Sequence, residues 1–312
     1  MKEKLKLTPL EKSWILYDIG NSAFILMVST LIPIYFNSLA GAAGVNEDMY
    51  LSYWGYAGSI STVLVAIIAL WWVGCSVPLL KDYTQTAYQE PTEEPVKDAF
   101  RQLWNTLKEA KQEKHIFLYL LAFFFFIDGV YTIIDMATAY GAALGLDTTG
   151  LLLALLLTQF VAFPCSILFG RLSEKYDSGL LIKVCIAAYT GITVFGIFLV
   201  AQWQFWVLAT LVGMFQGGIQ ALSRSYLGKI IPAERSGEFY GLMDIFGKGA
   251  SFMGLLMASL VSQFTAGITV DVFGVTLQNE NLAVGSLIIL FIIGYILFCK
   301  ADQLNLARSA KE

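Results

Sequence analysis

Charge is what this 312-residue chain has least of: 14% of its residues are Asp, Glu, Lys or Arg, where a soluble domain carries roughly 25%. Histidine occurs once, at His115. With a single histidine, no convincing Ser-His-Asp or metal-dependent catalytic set can be assembled, so neither an enzyme nor a cofactor is expected. The four cysteines, Cys75, Cys165, Cys185 and Cys299, lie in or beside apolar stretches without a CxxC pair. That argues against a disulfide framework and against bound metal. Glycine patterns that cradle phosphates or dinucleotides are also missing. The net charge of -4 comes with no basic face apart from the ends of the apolar runs, so nucleic acid is not an expected partner.

What the chain does have is apolar length. Hydrophobic residues make up 57% of it, and they fall in blocks long enough to cross the roughly 30 Å hydrocarbon core of a bilayer as helix. Eight spans are expected, over approximately 14–38, 54–80, 116–140, 150–170, 180–200, 205–223, 243–267 and 284–300. The first lacks a small-residue cleavage pattern and reads as a retained span. The lipid bilayer is therefore the first partner.

Basic residues fix an orientation for this set. With the N-terminus inside, the links 39–53, 141–149, 201–204 and 268–283 face outward, and none holds a lysine or arginine. The inward segments hold Lys2 to Lys12, Lys81 to Lys114, Arg171 and Lys175, Arg224 to Arg235, and Lys300 to Lys311. This positive-inside distribution predicts both termini on the cytoplasmic side of a cell inner membrane. The chain then divides into a two-span part (1–80), a cytoplasmic linker (81–115) and a six-span part (116–312). In the linker, Phe100, Leu103, Trp104 and Leu107 recur at helical spacing among charges, which predicts an amphipathic surface helix.

Polar groups inside spans are costly unless they are paired or line a cavity. In "WILYDIGNSAF" Asp18 and Asn21 share a helix face with Ser22, either as a functional stripe or as a structural lock. In "FFFFIDGVYTIIDMATAY" Asp128 and Asp135 are seven apart, nearly on one face. Asp128, near mid-span, suits either proton or substrate coupling or a permanent interhelical hydrogen bond. Gln159 precedes Pro164, a residue expected to break or bend its helix. Gln216 and Gln220 stand one turn apart, with Arg224 continuing their stripe, and the glycines 213, 217 and 218 permit close helix approach. Asp244 and Lys248, at i,i+4, have the spacing of an ion pair. This pair reads as a structural lock or as a gate that closes in one conformation.

Three segments, "WILYDIGNSAF", "WWVGCSVPLL" and "FQGGIQALSRSYLGKIIPAERSGEFYGLMDIFGKG", resemble the Atg22-like (UMF1) branch of the major facilitator superfamily. "GRLSEKYDSG" resembles the superfamily's cytoplasmic loop motif, with Gly170, Arg171, Glu174 and Lys175 at or beside its characteristic positions and Asp177 in place of a later glycine. The resemblance implies an all-α polytopic bundle whose twelve spans are here reduced to about eight, through loss of about four in the first half. It also implies secondary active transport of a small solute by alternating access. Amino-acid efflux is the association of the fungal relatives, whose setting would be a vacuolar membrane. Proton coupling, and an oligomer or partner membrane chain supplying further helices, are compatible with that reading. The alternative is a non-transporting membrane scaffold or an inactive truncated homologue. The candidate transport residues are Asp18, Asn21, Asp128, Asp135, Gln159, Gln216 and Gln220; those of a cytoplasmic gate are Gly170, Arg171, Glu174, Lys175, Arg224, Asp244 and Lys248.

Overall fold

The computed structural model describes residues 35–46, 49–60 and 95–309 apart from Phe273, together with positions 32 and 63. Asp18 and Asn21, most of the first two expected spans and the first part of the linker lie outside the described residues. Helices α1 (35–42) and α2 (49–60) precede α3 (Pro95–Gln112). The bundle proper follows as α4 (Lys114–Ala143), α5 (Thr148–Leu172), α6 (Ser178–Ile197), α7 (Gln202–Ile230) and α8 (Ser236–Phe264). It closes with α9 (Asn279–Ser286) and α10 (Ile288–Ser309).

Six segments among the described residues are long and apolar enough to cross a membrane, with α9 and α10 together forming the sixth. Helix is what an apolar run must form there, because lipid offers no partner for backbone N–H and C=O groups. Each expected span from 116 onward has its helix, and all of these helices but α6 are longer than the apolar runs. α7 continues from the expected end at 223 to Ile230, and α10 continues from 300 to Ser309. Helical hydrogen bonding does not stop where hydrophobicity stops, so polar ends project past the apolar band.

Turn chemistry separates the spans. Asp147 caps α5 by accepting from the Gly150 N–H at 2.7 Å. Asp177 does the same for α6 through the Leu180 N–H at 3.0 Å, satisfying donors that a helix start leaves orphaned. Pro164 lies inside α5, and the helix runs unbroken from Thr148 to Leu172; of the expected break or bend, the break does not occur. The link 268–283, expected to face outward, holds regular structure of its own. It folds as a two-stranded hairpin, Val270–Val272 against Val275–Leu277, with Gly274 at a positive φ of 79°.

α10 packs along α4 and α6, α5 along α7, and α4 along α8. The α5–α7 contact depends on Gly213: a Cβ there would stand 2.6 Å from the Thr158 carbonyl oxygen, so only hydrogen lets the two backbones meet. An aromatic cluster fills the end of the bundle where the basic residues gather. Tyr119, Tyr226 and Phe298 have ring centroids 5.0 to 6.0 Å apart, and the Tyr119 hydroxyl donates to the Ser223 carbonyl at 2.6 Å. α2 leans on α8, where the Tyr56 hydroxyl donates to Gln263 Oε1. The result is an all-α polytopic bundle of major-facilitator type.

Candidate transport site

α4 brings Asp128 to the middle of its apolar run, and the structure encloses it completely. Its Oδ1 accepts from the Gly254 N–H of α8 at 3.0 Å and receives a long contact from the Thr132 hydroxyl at 3.4 Å. Its Oδ2 has no hydrogen-bond partner among the described residues. The contact requires glycine: a Cβ at 254 would overlap the Thr132 hydroxyl and come within 2.9 Å of Asp128 Oδ1. One carboxylate oxygen thus ties α4 to α8, and the other is enclosed and free to carry a proton. The interhelical hydrogen bond and the coupling role, alternatives in the sequence, are compatible in the structure.

Asp135 does not share that enclosure. It is half-buried and makes no hydrogen bond or ion pair among the described residues. The seven-residue spacing aligns the two carboxylates on α4, but among the described residues only Asp128 takes a hydrogen bond from α8.

Two cavities collect the glutamines. Gln220 lines a polar cavity of about 110 Å³ between α4, α7 and α8, with Tyr131, Arg224, Asp244 and Lys248. Gln159 and Gln216 line a smaller, apolar one of about 40 Å³ between α4, α5 and α7. There Gln216 Oε1 is buried without a hydrogen-bond partner among the described residues, while Gln159 is exposed. The stripe Gln216, Gln220, Arg224 therefore runs along α7 from one cavity into the next.

The spacing permits a pair between Asp244 and Lys248, but in this structure Asp244 pairs across helices instead. Asp244 Oδ1 takes Arg224 Nη2 of α7 at 2.8 Å, and Lys248 is exposed and makes no ion pair among the described residues. Being on one helix face gives Lys248 proximity but not preference. The longer guanidinium reaches across from α7 and offers a directed N–H to the carboxylate. Both partners are substantially open, with side-chain exposures of 58% and 46%. The loop residues Gly170, Arg171, Glu174 and Lys175 are exposed at the α5–α6 turn and do not line this cavity.

Sequence reasoning missed a second polar knot. Asp302 of α10 is buried, takes Lys183 Nζ of α6 at 2.6 Å and accepts from the Tyr226 hydroxyl of α7 at 2.8 Å. Partners 119 and 76 residues away share no helical period with Asp302. The one signal was an acidic residue in the run that continues the last span. Among the described residues no cluster of His, Cys, Asp and Glu could hold a metal ion.

Comparison with known proteins adds identity to this geometry. The model of the family described as "Vacuole effluxer Atg22 like" matches residues 57–311. An uncharacterized MFS-type transporter of Bacillus subtilis, YxiO, is 41% identical over 231 residues, covering 74% of this chain and 51% of the relative. Autophagy-related protein 22 of Kluyveromyces lactis is 23% identical over 228 residues, covering 66% and 46%. Autophagy-related protein 22-2 of Aspergillus niger is 25% identical over 186 residues, covering 54% and 31%. The chain thus spans about half, or less, of the length of these relatives. No solved structure matches.

Proposed function

Because the chain belongs to the Atg22-like family of major-facilitator transporters, we propose that it takes part in secondary active transport of a small solute by alternating access. The solute class that the vacuole-effluxer relatives suggest is the amino acid, moved outward. The observation that carries the reading is Asp128: a carboxylate enclosed in mid-span, bonded through one oxygen only, at the junction of α4 and α8. Ionisable groups inside spans commonly mark substrate, ion or proton pathways.

A division of labour follows. Asp128 exchanges a proton and through it sets how firmly α4 holds Gly254. Gln220 offers both a donor and an acceptor to a zwitterionic solute in the neighbouring cavity, and Gln216 extends that path along α7. Arg224 and Asp244 form the gate at the basic end of the bundle, closed while the ion pair holds. The protein lies in the cell inner membrane with both termini cytoplasmic, an orientation that the distribution of lysine and arginine supports. A second copy or another membrane chain completes the wall of the pathway.

The half-length match favours one other reading, a membrane scaffold that moves no solute. Reconstitution in proteoliposomes with a panel of amino acids and imposed proton gradients separates the two. Counterflow of any member of the panel, kept in D128N while proton-driven net flux is lost, supports the carrier. A folded protein with neither flux nor exchange, alone or with a co-purified membrane chain, rejects it.

A further inference from the structure

Helix α3 has a side the transport reading does not use. One side docks on the bundle: Ala110 is fully buried, the Thr106 hydroxyl donates to Glu238 at 2.7 Å, and Arg235 bridges Glu109 of α3 to Glu238 of α8. Beside it Leu103 and Leu107 are half-buried. The remaining side carries Lys97, Arg101, Trp104, Lys108 and Lys111, all exposed. Their spacings of four, three, four and three place them in one line along the helix. Glu109 lies outside that line and is engaged on the docked side by Arg235.

Trp104 is 57% exposed at the centre of this line, with Lys108 Nζ 5.7 Å from its ring centroid. A stripe built only for solvation has no use for an open indole. At a bilayer surface the arrangement is favourable: the indole sits among the headgroups, and lysine and arginine stems lie along it with their charges in the phosphate layer. The place in the fold agrees. α3 docks against the starts of α4 and α8, the end of the bundle that also carries Lys114, Arg171, Lys175, Lys229 and Arg308. It therefore lies level with the headgroups of the leaflet at the basic end.

We propose that the Lys97–Arg101–Trp104–Lys108–Lys111 edge of α3 is a binding surface for the phosphate headgroups of anionic phospholipids. The four cations supply the attraction and Trp104 sets the depth. Since Arg235 ties the same helix to the first turn of α8, the surface charge of the membrane bears on the α8 end that precedes Asp244 and Gly254. The inference does not depend on which solute is carried, or on whether one is.

The test uses the full chain in vesicles of phosphatidylcholine, with or without about a third phosphatidylglycerol, a content that gives the surface a negative potential. Lipids brominated in the acyl chain quench tryptophans near the bilayer, and the difference between wild type and W104F isolates Trp104. Its quenching is expected to be several-fold stronger with phosphatidylglycerol and to fall as salt rises from about 0.05 to 0.5 M. Replacing all four cations with glutamine removes the difference, each contributing roughly fivefold to the affinity. Interchanging lysine and arginine at the four positions keeps it. Equal quenching in the two vesicles, or a glutamine variant that elutes and melts like wild type yet retains the difference, overturns the proposal. Reproduction of the effect by free inorganic phosphate overturns it in favour of a general anion site. Protection of Trp104 by a soluble acidic protein but not by anionic lipid overturns it in favour of a protein-docking face.

Discussion

Arg224 of α7 reaches Asp244 of α8 across 2.8 Å, although Lys248 stands one helical turn from the same carboxylate. The ion pair joins two helices instead of decorating one, so it can break when the helices part. Because both side chains are well exposed, its worth to stability is small, about 0.2–1 kcal/mol. R224A and D244A are each expected to shift the thermal midpoint little while increasing cytoplasmic access to the cavity beside Gln220. The charge-swapped double variant should restore the closed behaviour. Labelling of a cysteine at position 220 in each background measures it; unchanged labelling removes the gate assignment.

At Asp128 the two obvious substitutions should behave differently. D128N keeps an oxygen acceptor for the Gly254 N–H and should fold with near-normal abundance. D128A leaves that donor without its interhelical partner and should lose about 1–3 kcal/mol of stability. If the carboxyl carries the coupled proton, D128N abolishes the pH dependence of net flux and spares exchange. Flux in proteoliposomes at several pH values decides it, and a wild-type pH profile in D128N would sink the coupling role.

Gly254 offers a test of close approach. G254A drives a methyl group into the Thr132 hydroxyl and against Asp128, and overpacking of this kind costs typically 1–3 kcal/mol. The expected result is a lowered melting midpoint in detergent. Adding T132A removes the first of the two contacts and should recover part of the loss.

The Asp302 knot is expected to matter more than the exposed gate pair. K183A leaves a buried carboxylate with only the Tyr226 hydroxyl, a change on the order of 3 kcal/mol. K183A combined with D302N should be milder than K183A alone, since no unpaired charge remains. Urea or thermal unfolding of the three variants would check the order.

Topology can be read with single cysteines. Ala43, Thr149 and Asp271 are exposed and lie in the links expected outside, whereas Glu280, in the same outer link as Asp271, is buried and unsuited to labelling. Impermeant maleimide should reach the three from outside and Lys175→Cys only from the cytoplasm. Labelling of those three only from the cytoplasm, with Lys175→Cys reached from outside, would reverse the orientation.

The sequence by itself determined the membrane class and the six spans from 116 onward, because apolar length is a local property and a bilayer leaves backbone no alternative to helix. It also located α3, since four apolar residues at helical spacing among charges are equally local. Which polar residues meet was decided only by the tertiary structure. Arg224 takes Asp244 from Lys248, Asp302 finds Lys183 and Tyr226, and Asp128 finds the N–H of a glycine 126 residues away. Spacing along one helix fixes which side chains share a face. It carries no information about which neighbouring helix that face will touch, or how closely. That depends on where glycines such as Gly213 and Gly254 let two backbones close on each other, a consequence of the whole bundle's packing and of no single segment.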